Sequence, residues 1–207
     1  SQETINSILV AEAKKGSQVV RLKGGDPFIF GRGGDESMSL AKAGVAFEVV
    51  PGVTAGIGAA AGFGIPLTDR EKAPGTLLVA GHQCNGKDTQ DWETLARLDA
   101  TLVFYMGMKR LGEIVSGLTK NGKPVDTPVA IVQNATMENQ AILISTIKNI
   151  SADIEKRKWQ TPSVIIIGEV VSYYRKIREC LNTLPSQMVM PIQDLGFDIW
   201  ENKTVSA

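Results

Sequence analysis

The chain has 207 residues, 43% of them hydrophobic and 21% charged, and its 22 Lys and Arg balance 22 Asp and Glu to a formal net charge of zero. That length can bury a sizeable core, as one large domain or two lobes, and the composition excludes disorder as the main state. Without basic excess, general nucleic-acid binding through counterion release is excluded too.

The elements follow from periodicity and turn chemistry. Ile5, Ile8, Leu9 and Ala13 share one helical face, predicting a helix over 2–15 that stops at Gly16. Residues 19–22 read as a strand, 23–34 as a glycine-rich loop, 35–43 as a helix ended by Gly44, and 47–50 as a second strand closed by Pro51-Gly52. Thr54 caps a helix of small residues running to about Gly62. Alternation of helix and strand predicts a parallel sheet here. Residues 69–75 are charged and then turn-forming, and read as a linker between lobes. Beyond it, strands are expected at 76–80, 101–105, 128–133, 141–146 and 163–168, and helices at 91–97, 109–120, 148–157 and 169–181. Adjacent strands mixed with alternating helices make this second sheet mixed. The expected lobes are thus 1–70 and 71–184, followed by an irregular tail over 185–207.

Cys84 and Cys180 lie far apart with no zinc spacing, which fits free thiols in a reducing cytoplasm. No apolar run approaches a membrane span, and the polar opening residues lack the pattern of a signal peptide.

Glycine concentrates between Gly24 and Gly64. The loop Lys23–Gly34 leaves a strand and opens a helix, the place where open α/β sheets bind ligands. Gly24 and Gly25 let the backbone approach a ligand, and Asp26 offers an acceptor. Gly33 and Gly34 stand at a helix N-terminus, and Arg32 can reach a carboxylate bidentately. A tight structural turn with surface charges explains the same residues. Two further patterns resemble dinucleotide-enzyme motifs: Gly56-Ile-Gly58-Ala-Ala-Ala-Gly62 and the spacing Tyr105…Lys109. The first follows the wrong strand, and Gly107 interrupts the helix the second needs, so both are set aside. His82, Met106 and Gln133–Thr136 each follow a strand end, which suits a cleft between lobes, although a lone structural His, core Met and polar turn are the plainer readings.

Read together, the segments 19–34, 50–55 (Val-Pro-Gly-Val-Thr-Ala), 64–68 (Gly-Ile-Pro-Leu-Thr), 80–82, 101–107, 128–132 and 162–168 resemble, in order, the uroporphyrinogen-III C-methyltransferases. The resemblance covers residues 2 to about 180. It implies a two-lobe α/β fold of the tetrapyrrole-methylase type with parallel or mixed sheets and flanking helices, usually a homodimer. It implies S-adenosylmethionine as methyl donor, leaving S-adenosylhomocysteine, and methylation of carbons 2 and 7 of uroporphyrinogen III to precorrin-2 for sirohaem or cobalamin. By matching motif positions, Gly24, Gly25, Asp26, Ile29, Thr54, Ala55, Met106 and Ala135 are expected in the donor pocket. Arg32, Asp35, Arg70 and His82 are expected on the substrate side. No metal, nucleic acid or membrane is expected as partner.

The chain also departs from the family pattern. An initial strand with a Gly-x-Gly-Pro-Gly-Asp-Pro loop, and the acidic and basic residues after it, are not in this sequence, so the first lobe is expected to be incomplete and the chain alone inactive. Asp35 stands where Glu is usual, Asp69 where His is usual, and Ala135 where Gly is frequent. The alternatives are a non-catalytic donor-binding or dimerisation module and a methylase of a later precorrin. A nicotinamide enzyme is not expected.

Overall fold

The computed structural model describes residues 1–81, 90–157 and 159–182, with the backbone of 198–200. They form two compact units, Ser1–Ala55 and Gly56–Ala207.

The first unit holds α1 (Gln2–Lys14) and α2 (Gly33–Lys42), and α3 (Ala55–Gly62) begins at its last residue. Ser1 caps α1 by accepting the Thr4 amide at 3.2 Å, and Gly16 follows the helix at φ 86°. Gly44 ends α2 in the same way at φ 70°. The strands expected at 19–22 and 47–50, and the parallel sheet they imply, are not formed among the described residues of this unit. β-branched composition favours a pleat, but a strand exists only where its backbone groups bond to a neighbour. Neither segment has one here, and Val20 and Leu22 are 82% and 83% exposed. Both segments instead line a groove of about 660 Å³.

The second unit is a mixed sheet covered on both faces. Its strands are β1 (Thr76–Ala80), β2 (Thr101–Tyr105), β3 (Pro128–Gln133), β4 (Ala141–Thr146), β5 (Ser163–Ile167) and β6 (Asp198–Trp200). They lie in the order β1-β2-β5-β3-β4-β6. The β1–β2 and β4–β6 pairs are parallel and the other three antiparallel. The mixed sheet is as expected, but β6 is a correction: three residues of the expected irregular tail pair with the edge strand β4. An edge offers a row of unpaired amides and carbonyls that another strand can satisfy.

Alternate residues serve opposite faces. Val103, Ala130, Ile142 and Ile166 pack with Ala59, Ala60 and Phe63 and with Tyr174 of α7 (Ser172–Asn182). Leu102, Phe104, Ile131, Leu143 and Ile165 pack with α4 (Trp92–Arg97), α5 (Leu111–Lys120) and α6 (Ile150–Glu155). Burial on both faces is why these strands read as continuous apolar runs. Residues 56–70, grouped by sequence with the N-terminal lobe, lie in this unit because Ala59, Ala60, Phe63 and Ile65 belong to its core. Among the described residues, no helix is long and apolar enough to cross a membrane.

Candidate ligand-binding loops

In the first unit, Asp26 organises the glycine-rich loop. Its Oδ1 accepts the Phe28 amide at 2.9 Å and its Oδ2 accepts the Gly52 amide at 3.1 Å. These amides, Gly52 first and then Phe28, hold its carboxyl below the usual aspartate range. The bond to Gly52 draws two backbones together: a Cβ on Gly52 would lie 2.7 Å from the Gly25 carbonyl oxygen. A Cβ on Gly25 would meet the Val53 carbonyl at 3.3 Å, with Thr54 and Ala55 just beyond. Gly25, Asp26, Thr54 and Ala55 are therefore brought together, and Thr54 is buried. Gly24 faces open space, and Ile29, five residues on, is exposed.

The loop turns back at Phe30 and Arg32, both left-handed at φ 52° and 57°. The Gly33 amide donates to the Pro27 carbonyl at 2.9 Å and closes it. Arg32 Nε lies 3.0 Å from Asp35 Oδ2, with both side chains more than half exposed. The shorter carboxylate at position 35 still reaches its arginine one helical turn away.

In the second unit, the C-terminal ends of β1, β2 and β3 share one edge, since β1 runs parallel to β2 and both β2 and β3 run antiparallel to β5. Gly81, Met106 and Ala135 follow these ends. Met106 is left-handed at φ 57° and 49% exposed. Gly81 donates its amide to the Tyr105 carbonyl, and a Cβ on it would fall 2.4 Å from Gly107 Cα. Asn134 and Thr136, at φ 49° and 69°, place Ala135 between two strained neighbours. The Thr136 amide donates to Oε1 of buried Gln140 at 2.9 Å.

Arg70 stands elsewhere. It is exposed in the turn Asp69–Ala73, ahead of the N-terminal end of β1. Five residues of strand, about 17 Å, separate that edge from the one bearing Met106 and Ala135. Asp69 builds this turn: it accepts the Glu71 and Lys72 amides and the Tyr173 hydroxyl at 2.7 Å. A carboxylate here is a turn anchor, where a histidine would carry a proton. His82 lies outside the described residues.

Sequence reasoning passed over three features. Tyr105, set aside as a dehydrogenase-like residue, uses its hydroxyl to accept the Gly56 amide at 2.7 Å. Gly56 is small because a Cβ there would strike that hydroxyl at 2.5 Å, which accounts for the second motif-like pattern by packing. Arg110, with its side chain 10% exposed, donates to the Gly81 carbonyl at 3.2 Å and pairs with Glu113. Lys23 and Glu36 form a buried ion pair. The only sequence signal for that pair is two charges flanking the glycine-rich loop.

Residues 1–151 match the family model for Tetrapyrrole (Corrin/Porphyrin) Methylases. The chain is 44% identical over 173 residues to the S-adenosyl-L-methionine-dependent uroporphyrinogen III methyltransferase of Methanosarcina barkeri, covering 83% of this chain and 68% of that protein. It is 46% identical over 176 residues to the siroheme synthase of Sodalis glossinidius, covering 85% of this chain and 37% of that longer protein. The uroporphyrin-III C-methyl transferase of Thermus thermophilus, complexed with S-adenyl homocysteine, superposes with a TM-score of 0.72 at 36% identity, covering 83% of this chain and 74% of that one. The ordered glycine-rich loop, the mixed sheet with its strained strand ends and these likenesses agree: the chain belongs to the tetrapyrrole (corrin/porphyrin) methylases.

Proposed function

We propose that this protein takes part in S-adenosylmethionine-dependent C-methylation of uroporphyrinogen III, at carbons 2 and 7, to give precorrin-2. The carrying observation is the Asp26 loop, in a chain 44% identical over most of its length to a protein named as an S-adenosyl-L-methionine-dependent uroporphyrinogen III methyltransferase. The loop suits the donor. Gly24 leaves room for it, and Asp26 stays anionic opposite a cationic or hydroxyl-bearing group. On this reading Gly24, Gly25, Asp26, Ile29, Thr54 and Ala55 are the donor-binding residues of the first unit, and Met106 and Ala135 are candidates within the second. The donor supplies a methyl group on a sulfonium, and transfer is an in-line displacement by an electron-rich pyrrole carbon. The protein's task is to fix the two in attack geometry, where orientation lowers the barrier by several kcal/mol, up to about 10. Arg32, held by Asp35, anchors a carboxylate of the tetrapyrrole. The protein acts in the cytoplasm as a homodimer on this reading.

The test is incubation of the full-length protein with uroporphyrinogen III and methyl-labelled S-adenosylmethionine. Sequential addition of two labelled methyl groups is expected. No transfer to uroporphyrinogen III sinks the reading, and transfer only to an already methylated precorrin redirects it to a later step.

A further inference from the structure

Helix α2 carries a buried carboxylate for which the donor and substrate roles have no use. Glu36 has a side chain 7% exposed, and its Oε2 lies 2.8 Å from Lys23 Nζ, itself 13% exposed. Its Oε1 accepts from Gln2 and Arg21, each at 3.2 Å. Lys23 Nζ has a second partner, the Gly31 carbonyl at 2.5 Å.

These bonds tie both ends of one loop. Lys23 directly precedes Gly24-Gly25-Asp26, and Gly31 closes the exposed turn of Phe28, Ile29 and Phe30. The loop contains two non-glycine residues in the left-handed region, Phe30 and Arg32. Such residues cost of order 1–3 kcal/mol each and persist only where the surroundings over-determine them. The Gly33-to-Pro27 bond constrains the turn from within. The Lys23-to-Gly31 bond, anchored on Glu36, constrains it from the body of the unit.

We infer that Lys23 and Glu36 are a positioning pair, acting through the Gly31 carbonyl to hold the Asp26–Gly33 loop in the form that takes the methyl donor. This rests on the reading of that loop proposed above. A role in stability alone is replaceable, because apolar residues of similar volume often substitute for a buried ion pair without loss. The loop tie is not replaceable that way, since methionine offers the Gly31 carbonyl no donor.

The double variant Lys23→Met/Glu36→Met in the full-length protein separates the two roles. Its melting temperature should stay near the original. Amide exchange at Gly33 and Phe28 should quicken about tenfold, with the β2 and β3 amides unchanged. The Kd for S-adenosylhomocysteine and the KM for S-adenosylmethionine should rise about tenfold, the loss of one charge-assisted hydrogen bond. Lys23→Arg, which keeps a cationic donor, should retain affinity within about threefold. If the double variant does not fold, Lys23→Met alone leaves Glu36 with Arg21 and Gln2 and gives the same readouts. Unchanged Gly33 exchange in a folded variant overturns the inference. So does quicker exchange with unchanged affinity. Quicker exchange in a protein that binds no S-adenosylhomocysteine before substitution sustains the tie and overturns the donor reading.

Discussion

Asp26 serves its own loop before it serves any ligand, because its two oxygens already accept two backbone amides. Asp26→Ala should therefore release Gly52 from Gly25 as well as remove a charge. Calorimetry should therefore show S-adenosylhomocysteine binding weakened at least about tenfold. An unchanged Kd would place the donor elsewhere. Glu36 makes a different prediction. Burial opposes its charge, but hydrogen bonds from Lys23, Gln2 and Arg21, with the Lys23 charge, outweigh that and hold its carboxyl below the usual glutamate range. The unfolded chain thus takes up this proton at a higher pH than the folded one. The stabilisation is complete above the ordinary glutamate value and is lost as pH falls through the lower folded value. Urea midpoints of the original and Glu36→Gln should differ at pH 7 and converge as pH falls below the ordinary glutamate range. A gap equally wide in acid would contradict the linkage. Asp26 and Arg32 were legible as site candidates because residue type and loop context announce them, whereas Asp35 became one only through the family resemblance. Glu36 was not, because its role depends on burial that a string of charges does not reveal.

At the scale of elements, the glycines of α2 give opposite expectations at adjacent positions. A Cβ on Gly33 would fall 2.5 Å from the Pro27 carbonyl oxygen and 2.8 Å from the Phe28 ring, so Gly33→Ala must open the loop. It should destabilise by about 1–3 kcal/mol and weaken S-adenosylhomocysteine binding. Nothing lies within 4 Å of a Cβ on Gly34, where alanine gains up to about 1 kcal/mol of helix propensity. Denaturant midpoints of the two variants should shift in opposite directions, and equal shifts would show that packing around Pro27 does not decide. Helix limits were readable because they are local: Ser1, Gly16 and Gly44 act within a turn of their own positions. The segments 19–22 and 47–50 were misread because a strand is defined by its partner. Residues 198–200 were misread for the same reason in reverse, since β4 supplies the pairing their own sequence does not advertise.

For the whole molecule, the second unit carries the extensive core, with Leu102, Phe104, Ile131 and Ile165 fully buried between sheet and helices. Ile165→Ala should cost about 2–5 kcal/mol by transfer and cavity terms, read from urea unfolding. A loss below about 1 kcal/mol would mean the layer relaxes into the space. S-adenosylhomocysteine at a hundred times its Kd should stabilise the protein by about 2.7 kcal/mol, and no rise in melting temperature would count against a donor site. By itself the sequence determined which runs of the second unit are strands β1 to β5, where helices start and stop, and which loop has candidate residues for a ligand. Each of these depends on side-chain type and short spacing. Only the tertiary structure decided the strand order, the pairing of β6, the membership of residues 56–70 in the second core and the separation of Arg70 from Met106 and Ala135. It also decided the burial of Lys23 with Glu36. These depend on which distant backbones and side chains meet, and many sequences with the same local pattern leave that choice open until the core is packed.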